Sequence, residues 1–141
     1  RIPTTAALDM GRALMRAQNE DALAKPLTLL RDIYRDNLVL PPPQVRYMSL
    51  GDRPYEPIML LRVRTVPRHW AVVHDDLASR EATLLEEHAR PSVCVLRAEA
   101  PLRKLLGYGE ALAKLSGGTA LHWIWLDRYV PMDDPPGGRA A

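Results

Sequence analysis

From Leu29 to Val66 the chain reads as a helix, a proline-blocked crossover and two strands in quick succession, and that order constrains the fold more than any other stretch. Pro26 suits the first turn of the helix, where its missing N–H costs nothing. Leu27, Leu30, Ile33 and Tyr34 then recur at three- and four-residue spacing on one face, with Arg31, Asp32, Arg35 and Asp36 mainly on the other. Asn37 is the expected stop. Pro41, Pro42 and Pro43 force an extended connection, because each lacks a backbone donor and restricts the residue before it. Val45 to Leu50 and Ile58 to Val66 follow as strands about a turn at Gly51 to Pro54, natural antiparallel neighbours. In the longer strand Met59, Leu61, Val63 and Thr65 share one face. Ile58, Leu60, Arg62 and Arg64 share the other, which changes from apolar to basic along its length.

The flanking segments complete an α+β pattern. Thr4 or Thr5 can cap a leading helix carrying Leu8, Met10, Ala13, Leu14 and Ala17. Trp70 to His74 reads as a short strand, Asp75 or Asp76 as the cap of a helix running through Ala89, and Ser92 to Arg97 as a further strand. Pro101 to Leu106 and Glu110 to Leu115 read as short helices, and Ala120 to Leu126 as a strand with Leu121, Trp123 and Trp125 on one face. The expectation is N-terminal helices packed on a small mixed or antiparallel sheet, with a helix-strand insertion. With 141 residues, 47% of them hydrophobic, residues 1–131 can bury a core as one compact domain or as two small lobes, ahead of a flexible tail at 132–141. A start at Arg1 and a soft PPGGRAA end suggest a piece cut from something longer.

The composition narrows the function classes. Nineteen Lys and Arg against 17 Asp and Glu leave a net charge of +2 with the signs interleaved, so no nucleic-acid partner is expected. The single cysteine, Cys94, sits in the apolar run PSVCVLR as a buried small hydrophobe, compatible with a reducing compartment. No run has the length of a membrane span and no signal-peptide pattern opens the chain, so a cytoplasmic location without membrane contact is expected. His74, Asp75 and Asp76 could hold a metal, but their use in helix capping is the simpler reading. His69, His88 and His122 are scattered, Glu86 and Glu87 belong to a solvated helix face, and Glu99 and Glu110 have no identifiable acid partner. Ser116 to Thr119 lacks the lysine and glycine spacing of a phosphate loop and reads as a turn. The expected catalytic residues, metal ligands and cofactors are therefore none, and the chain reads more as a protein-recognition scaffold than as an enzyme. Arg62, Arg64, Arg68, Trp70 and Tyr108 are the candidate partner-binding residues, being of the types enriched at interface hot spots. The alternative is a small-molecule-binding or enzymatic domain with a pocket near Trp123, where His122 and Arg128 would meet a small acid.

The linear order also carries a resemblance. Leu30, Arg31, Tyr34, Val39, Leu40, Pro41, Val45, Tyr55, Leu60, Leu61, Val63, Val66, Gly118 and Trp125 fit a pattern of helix, Val-Leu-Pro turn, Tyr-x-Ile-Leu-Leu-x-x-Val-x-Val strand and later Gly-x-x-x-x-Trp strand. In this the chain resembles the cytoplasmic domain of the type III secretion and flagellar export-gate family. Asn37-Leu38 departs from the family's glycine before the turn, two extra prolines follow Pro41, and Pro67-Arg68 stands where Gly or an acid is expected. The resemblance implies protein transport without local catalysis. It also implies chaperone-bound export substrates or other secretion components as partners, ring homo-oligomerisation in the full protein, and a parent anchored in the bacterial inner membrane.

Overall fold

A computed structural model describes residues 5–9, 12–35 and 40–132, and the chain divides into two compact units, 1–43 and 44–141. In the first unit Thr5–Asp9 (β1) and Arg12–Arg16 (β2) pair antiparallel, from Thr5↔Arg16 to Asp9↔Arg12. This hairpin stands where a leading helix was expected. Gly11 in the middle of that helix would have cost about 1 kcal/mol, which the pattern of Leu and Ala alone did not outweigh. Thr4 and Met10 lie outside the described residues.

A short 3-10 turn, Asp21–Leu23, leads into the helix Ala24–Tyr34 (α1), and Asn19 Oδ1 accepts a hydrogen bond from the Ala22 N–H at 2.9 Å. Pro26 falls in the first turn as expected. The helix closes at Arg35, whose φ of 51° ends the α geometry and whose N–H reaches the Arg31 carbonyl. Asn37, the expected stop, lies outside the described residues.

The second unit is built on one long strand. Arg53–Thr65 (β4) turns back from Met48–Leu50 (β3) at Gly51, whose φ of 63° is the left-handed conformation that glycine adopts without penalty. After a proline-led 3-10 turn at Pro67–His69 come the helix Trp70–Ser79 (α2) and the strands Thr83–Ala89 (β5) and Cys94–Pro101 (β6). The helices Leu102–Leu105 (α3) and Tyr108–Ser116 (α4) precede the strand Leu121–Pro131 (β7). Every pairing is antiparallel: β4 lies between β6 and β7, β5 continues outward from β6, and β3 pairs with the start of β4. From β4 onward the order of strand and helix is β-α-β-β-α-β with β4 and β6 central, the ferredoxin-like split arrangement. The α+β class is as expected, though the helices that cover this sheet are α2 to α4.

Two expectations fail here for identifiable reasons. Trp70 to His74 is the first turn of α2 and not a strand: Trp70, Val73, His74 and Leu77 have helical spacing, and Val73 and Leu77 are buried on the sheet. The helix expected to run to Ala89 stops at Ser79, and residues 83–89 form the edge strand β5. The chain reverses at Glu81 with a φ of 59°, and no glycine announces that turn.

One face of the sheet supplies the core. Met59, Leu61 and Val63 from β4 and Leu96, Ala98 and Ala100 from β6 pack against Val73, Leu77, Leu105, Tyr108 and Leu112 from the helices. Ile124 and Leu126 of β7 pack at its margin, and Cys94 is buried nearby as a free thiol. Arg80 ties the helical layer together. Its Nε donates to Asp76 Oδ2 at 3.0 Å, its Nη1 to the Lys104 carbonyl at 2.9 Å, and its guanidinium lies 5.1 Å from the Tyr108 ring centre. At the other end, Arg103 holds the nearly buried Glu56 carboxylate at 2.8 Å. Residues 133–141, most of the expected tail, lie outside the described residues.

Candidate functional site

The face of the sheet opposite α2 to α4 carries no helix of residues 44–132, and the strand registers fix what it displays. One row runs across four strands as Glu86, Arg97, Arg62 and Trp123. The next reads His88, Val95, Arg64 and Leu121, and on the other side Glu99 and Trp125 flank Leu60. Side chains directly opposite one another on an antiparallel sheet share a face, so these rows form one surface. Trp123 and Trp125 are 43% and 37% exposed, far more than tryptophans in a core.

The electrostatics of this surface are uneven. Arg97 Nη1 donates to Glu86 Oε2 at 3.2 Å, and His88 Nε2 lies 3.0 Å from Glu86 Oε1. His88 first and Arg97 second hold the Glu86 carboxyl below the usual carboxylate range. Arg128 is bound by Glu99 at 3.0 Å and by Asp127 at 2.6 Å, and its pKa is raised by the Glu99 bond first. Arg62 has no carboxylate partner among the described residues; its guanidinium sits 5.3 Å from the Trp123 ring centre, a cation–π contact. Arg64, exposed two residues on, has no charged partner among the described residues. A shallow depression lined by Arg62, Glu86, His88, Val95, Arg97 and Trp125 crosses the middle of the face.

The structure separates the five residues that the sequence grouped for partner binding. Arg62 and Arg64 lie side by side on the open face. Arg68 is exposed in the 3-10 turn, its Nε 3.3 Å from His69 Nε2. Trp70 packs against the core from α2 and meets the His74 ring at 4.7 Å. Tyr108, grouped with them as a candidate contact residue, is fully buried: Gly107 precedes α4 and Gly109 lies in its first turn, and the Tyr108 ring packs against Arg80 and His122. Trp123, Trp125, Arg97 and Glu86 are the members of the surface that the grouping missed. The alternation of Leu121, Trp123 and Trp125 placed them on one face of their strand, but the pairing of Arg97 with Arg62 depends on a register that no local pattern reveals.

The groups expected to line a small-acid pocket near Trp123, His122 and Arg128, are engaged elsewhere. His122 stacks edge-on against buried Tyr108 at 6.1 Å, while Arg128 is occupied by Glu99 and Asp127. His74 does not cap a helix either: its Nε2 lies 3.0 Å from Glu87 Oε2, close in distance but without the alignment of a hydrogen bond. Asp76 is engaged by Arg80, and Ser116 to Thr119 is a turn in which Gly117 and Gly118 take positive φ. No group of three or more His, Cys, Asp or Glu side chains is gathered as a metal site among the described residues, and none of their helices is long and apolar enough to cross a membrane.

Comparison with known proteins identifies the sheet unit. Residues 53–138, from the start of β4 to beyond β7, match the family model described as elongation factor G C-terminus. The chain is 32% identical over 83 residues to ribosome-releasing factor 2, mitochondrial, of Danio rerio, a match covering 59% of this chain and 11% of that one. It is 34% identical over 75 residues to elongation factor G 2 of Hahella chejuensis, covering 53% of this chain and 11% of the relative. A crystal structure from Thermus thermophilus superposes with a TM-score of 0.54 at 28% identity, over 57% of this chain and 12% of that one. The chain thus spans about a tenth of the length of these relatives. These matches overturn the export-gate resemblance, and with it the transport role and the chaperone-bound export substrates as partners. The residues that carried that resemblance were mostly aliphatic positions of β4 and its approach, which any buried central strand supplies. An inner-membrane anchor for the parent protein loses its support with it.

Proposed function

Because this chain belongs to the elongation factor G C-terminus family, we propose that it is a binding module of a translation factor and that it docks on the ribosome through the open face of its sheet. Two relatives are named as an elongation factor and a ribosome-releasing factor, which supports the ribosome as the partner. The observation that carries the choice of surface is that Arg62 and Arg64 share with exposed Trp123 and Trp125 a face that no helix of residues 44–132 covers, with Arg62 directly opposite Trp123. Arginine and tryptophan dominate the energetics of interfaces because each brings a large contact area together with directed polar or π contacts. The sheet beneath is fixed by ladders on both sides of β4, so these side chains are held on a rigid platform.

Co-sedimentation of the 141-residue chain with ribosomes tests the reading. The wild type should pellet with ribosomes at low salt. The double substitution Arg62→Glu, Arg64→Glu should release it, because both positions are exposed and their reversal leaves the core untouched. Undiminished co-sedimentation of the folded double variant would remove this face from the proposal. Absence of wild-type binding under all salt conditions would remove the ribosome.

A further inference from the structure

The edge strand β5 differs from the rest of the sheet in how little holds it. All seven of its residues are exposed, whereas β6 beside it buries Cys94, Leu96, Ala98 and Ala100. Its ladder to β6 runs from Thr83↔Glu99 to Ala89↔Cys94 but shifts register between Leu84 and Glu86, and such an irregularity disrupts the hydrogen bonds locally. Its outer edge pairs with no strand among the described residues. On the helical side β5 does not close on a filled core. A hollow of about 100 Å3, open to solvent, lies between it and α2, lined by His74, Leu77, Ala78, Ala82, Leu84 and Ala98. Leu84 lines this hollow yet is 42% exposed, so the contact removes little apolar surface from water.

Few buried apolar contacts and solvent-exposed backbone hydrogen bonds mark segments that open at less cost than global unfolding. Both ends of β5 suit a hinge. Before it, Glu81 holds a φ of 59°, a left-handed conformation whose strain release would relax; after it, the turn from Arg90 to Val93 carries a backbone hydrogen bond of 2.9 Å. One side-chain contact reaches β5 from across the hollow. His74 Nε2 lies 3.0 Å from Glu87 Oε2, an attraction that needs no hydrogen-bond alignment but exists only while His74 carries a proton. No other titratable group lines the hollow: β6 contributes Ala98 and the turn after α2 contributes Ala82. On α2 itself the Trp70 ring lies 4.7 Å from the His74 ring, and Asp76 is taken by Arg80. The tie on the opposite face, Glu86 to Arg97, involves a carboxyl that His88 and Arg97 hold below the usual carboxylate range, so it keeps its charge at neutral and mildly acid pH.

We propose that β5 is a proton-sensitive strap, which swings off the sheet independently of the core and is latched closed by protonated His74 through Glu87. Because that pair exists only in the closed state, acid closes the strap and alkali loosens it, within the range of about pH 5 to 8 where histidine changes charge. Opening also withdraws Glu86 from Arg97 on the open face, and only this consequence rests on the docking reading.

The test is amide hydrogen exchange of the 141-residue chain, with protection corrected for the intrinsic rate at each pH. It uses no ribosome, so its failure is distinct from a failure of co-sedimentation. At about pH 7 the β5 amides paired with β6 should be about tenfold or more less protected than those of Met59 to Val63 in central β4. Between about pH 8 and about pH 5.5 the protection of β5 should rise about threefold relative to β4, the effect of one partly exposed ion pair. His74→Gln should abolish that rise while leaving β4 protected. His88→Gln should keep it, because His88 meets Glu86 on the same strand and ties β5 to nothing else. Equal protection of β5 and β4 would overturn the proposal, as would a wild type without the rise, a rise that survives His74→Gln, or one that is lost in His88→Gln.

Discussion

Tyr108 offers a test in which the sign of the effect, more than its size, carries the information. Its ring is fully buried and touches Arg80 and His122, yet its hydroxyl is buried with no hydrogen-bond partner among the described residues. An unsatisfied buried polar group costs about 1 to 3 kcal/mol, while the ring itself contributes packing that phenylalanine would keep. Tyr108→Phe should therefore stabilise the chain by about 1 kcal/mol, raising the melting temperature by roughly 2 to 6 °C. Truncation to alanine should cost about 3 to 5 kcal/mol through the cavity it leaves. The same hydroxyl predicts a pH signature. Burial first, and the Asp76 carboxylate second, push its pKa above the ordinary value of 10.0 against the opposing pull of Arg80. A group whose folded pKa is raised contributes its stability fully below the unfolded pKa and loses it as pH climbs beyond. Above about pH 10 the unfolded chain releases the proton more readily, so the wild type should lose stability there while Tyr108→Phe is spared that portion of the decline. Urea titrations of both proteins at about pH 7 and about pH 10.5 measure both effects. A phenylalanine variant less stable than the wild type at neutral pH would mean that the hydroxyl has a partner, and the reasoning would fail.

Two further substitutions probe the frame that holds the open face. Leu61→Asp places a carboxylate at the most enclosed part of β4, where Leu61 is 1% exposed, and should destabilise by about 4 kcal/mol or more, read as loss of the cooperative melting transition. Arg80→Lys removes the guanidinium fork that reaches Asp76, the Lys104 carbonyl and the Tyr108 ring, and should cost about 2 kcal/mol in chemical denaturation even though the positive charge is retained.

Much of the sheet was legible because its strands obey local rules. Met59, Leu61 and Val63 alternate with Leu60, Arg62 and Arg64, and the structure buries the first set and leaves both arginines exposed. Gly51 marked a hairpin turn and Gly117 a helix end, each at a positive φ that glycine tolerates best. The segment 70–89 was opaque for the opposite reason. Its first turn holds two valines, which favour strands, and its reversal depends on Glu81 in the left-handed region, where a sequence offers no warning. The same limit applied to the candidate surface. The residues of each strand could be assigned to faces, but Trp70 was grouped with the arginines by proximity in the chain and Tyr108 by residue type, and the fold sends both to the helical side of the sheet. Conversely, Arg97 meets Arg62 only through the β4 to β6 register, a long-range property.

The central position of β4 also governs the time course of folding. Its partners run from Ile58↔Pro101 to Thr65↔Cys94 on one side and from Tyr55↔Pro131 to Arg64↔Leu121 on the other, so its own ladders are closed by strands far along the chain. Contacts of such separation must pay loop-closure entropy before any core is formed, which places mixed folds of this kind between fast helical bundles and slow all-β domains. During synthesis the arginine-bearing strand is made well before either long neighbour, and it stays an open edge until β7 has been added. The charges at positions 62 and 64 then guard that edge against pairing with other chains.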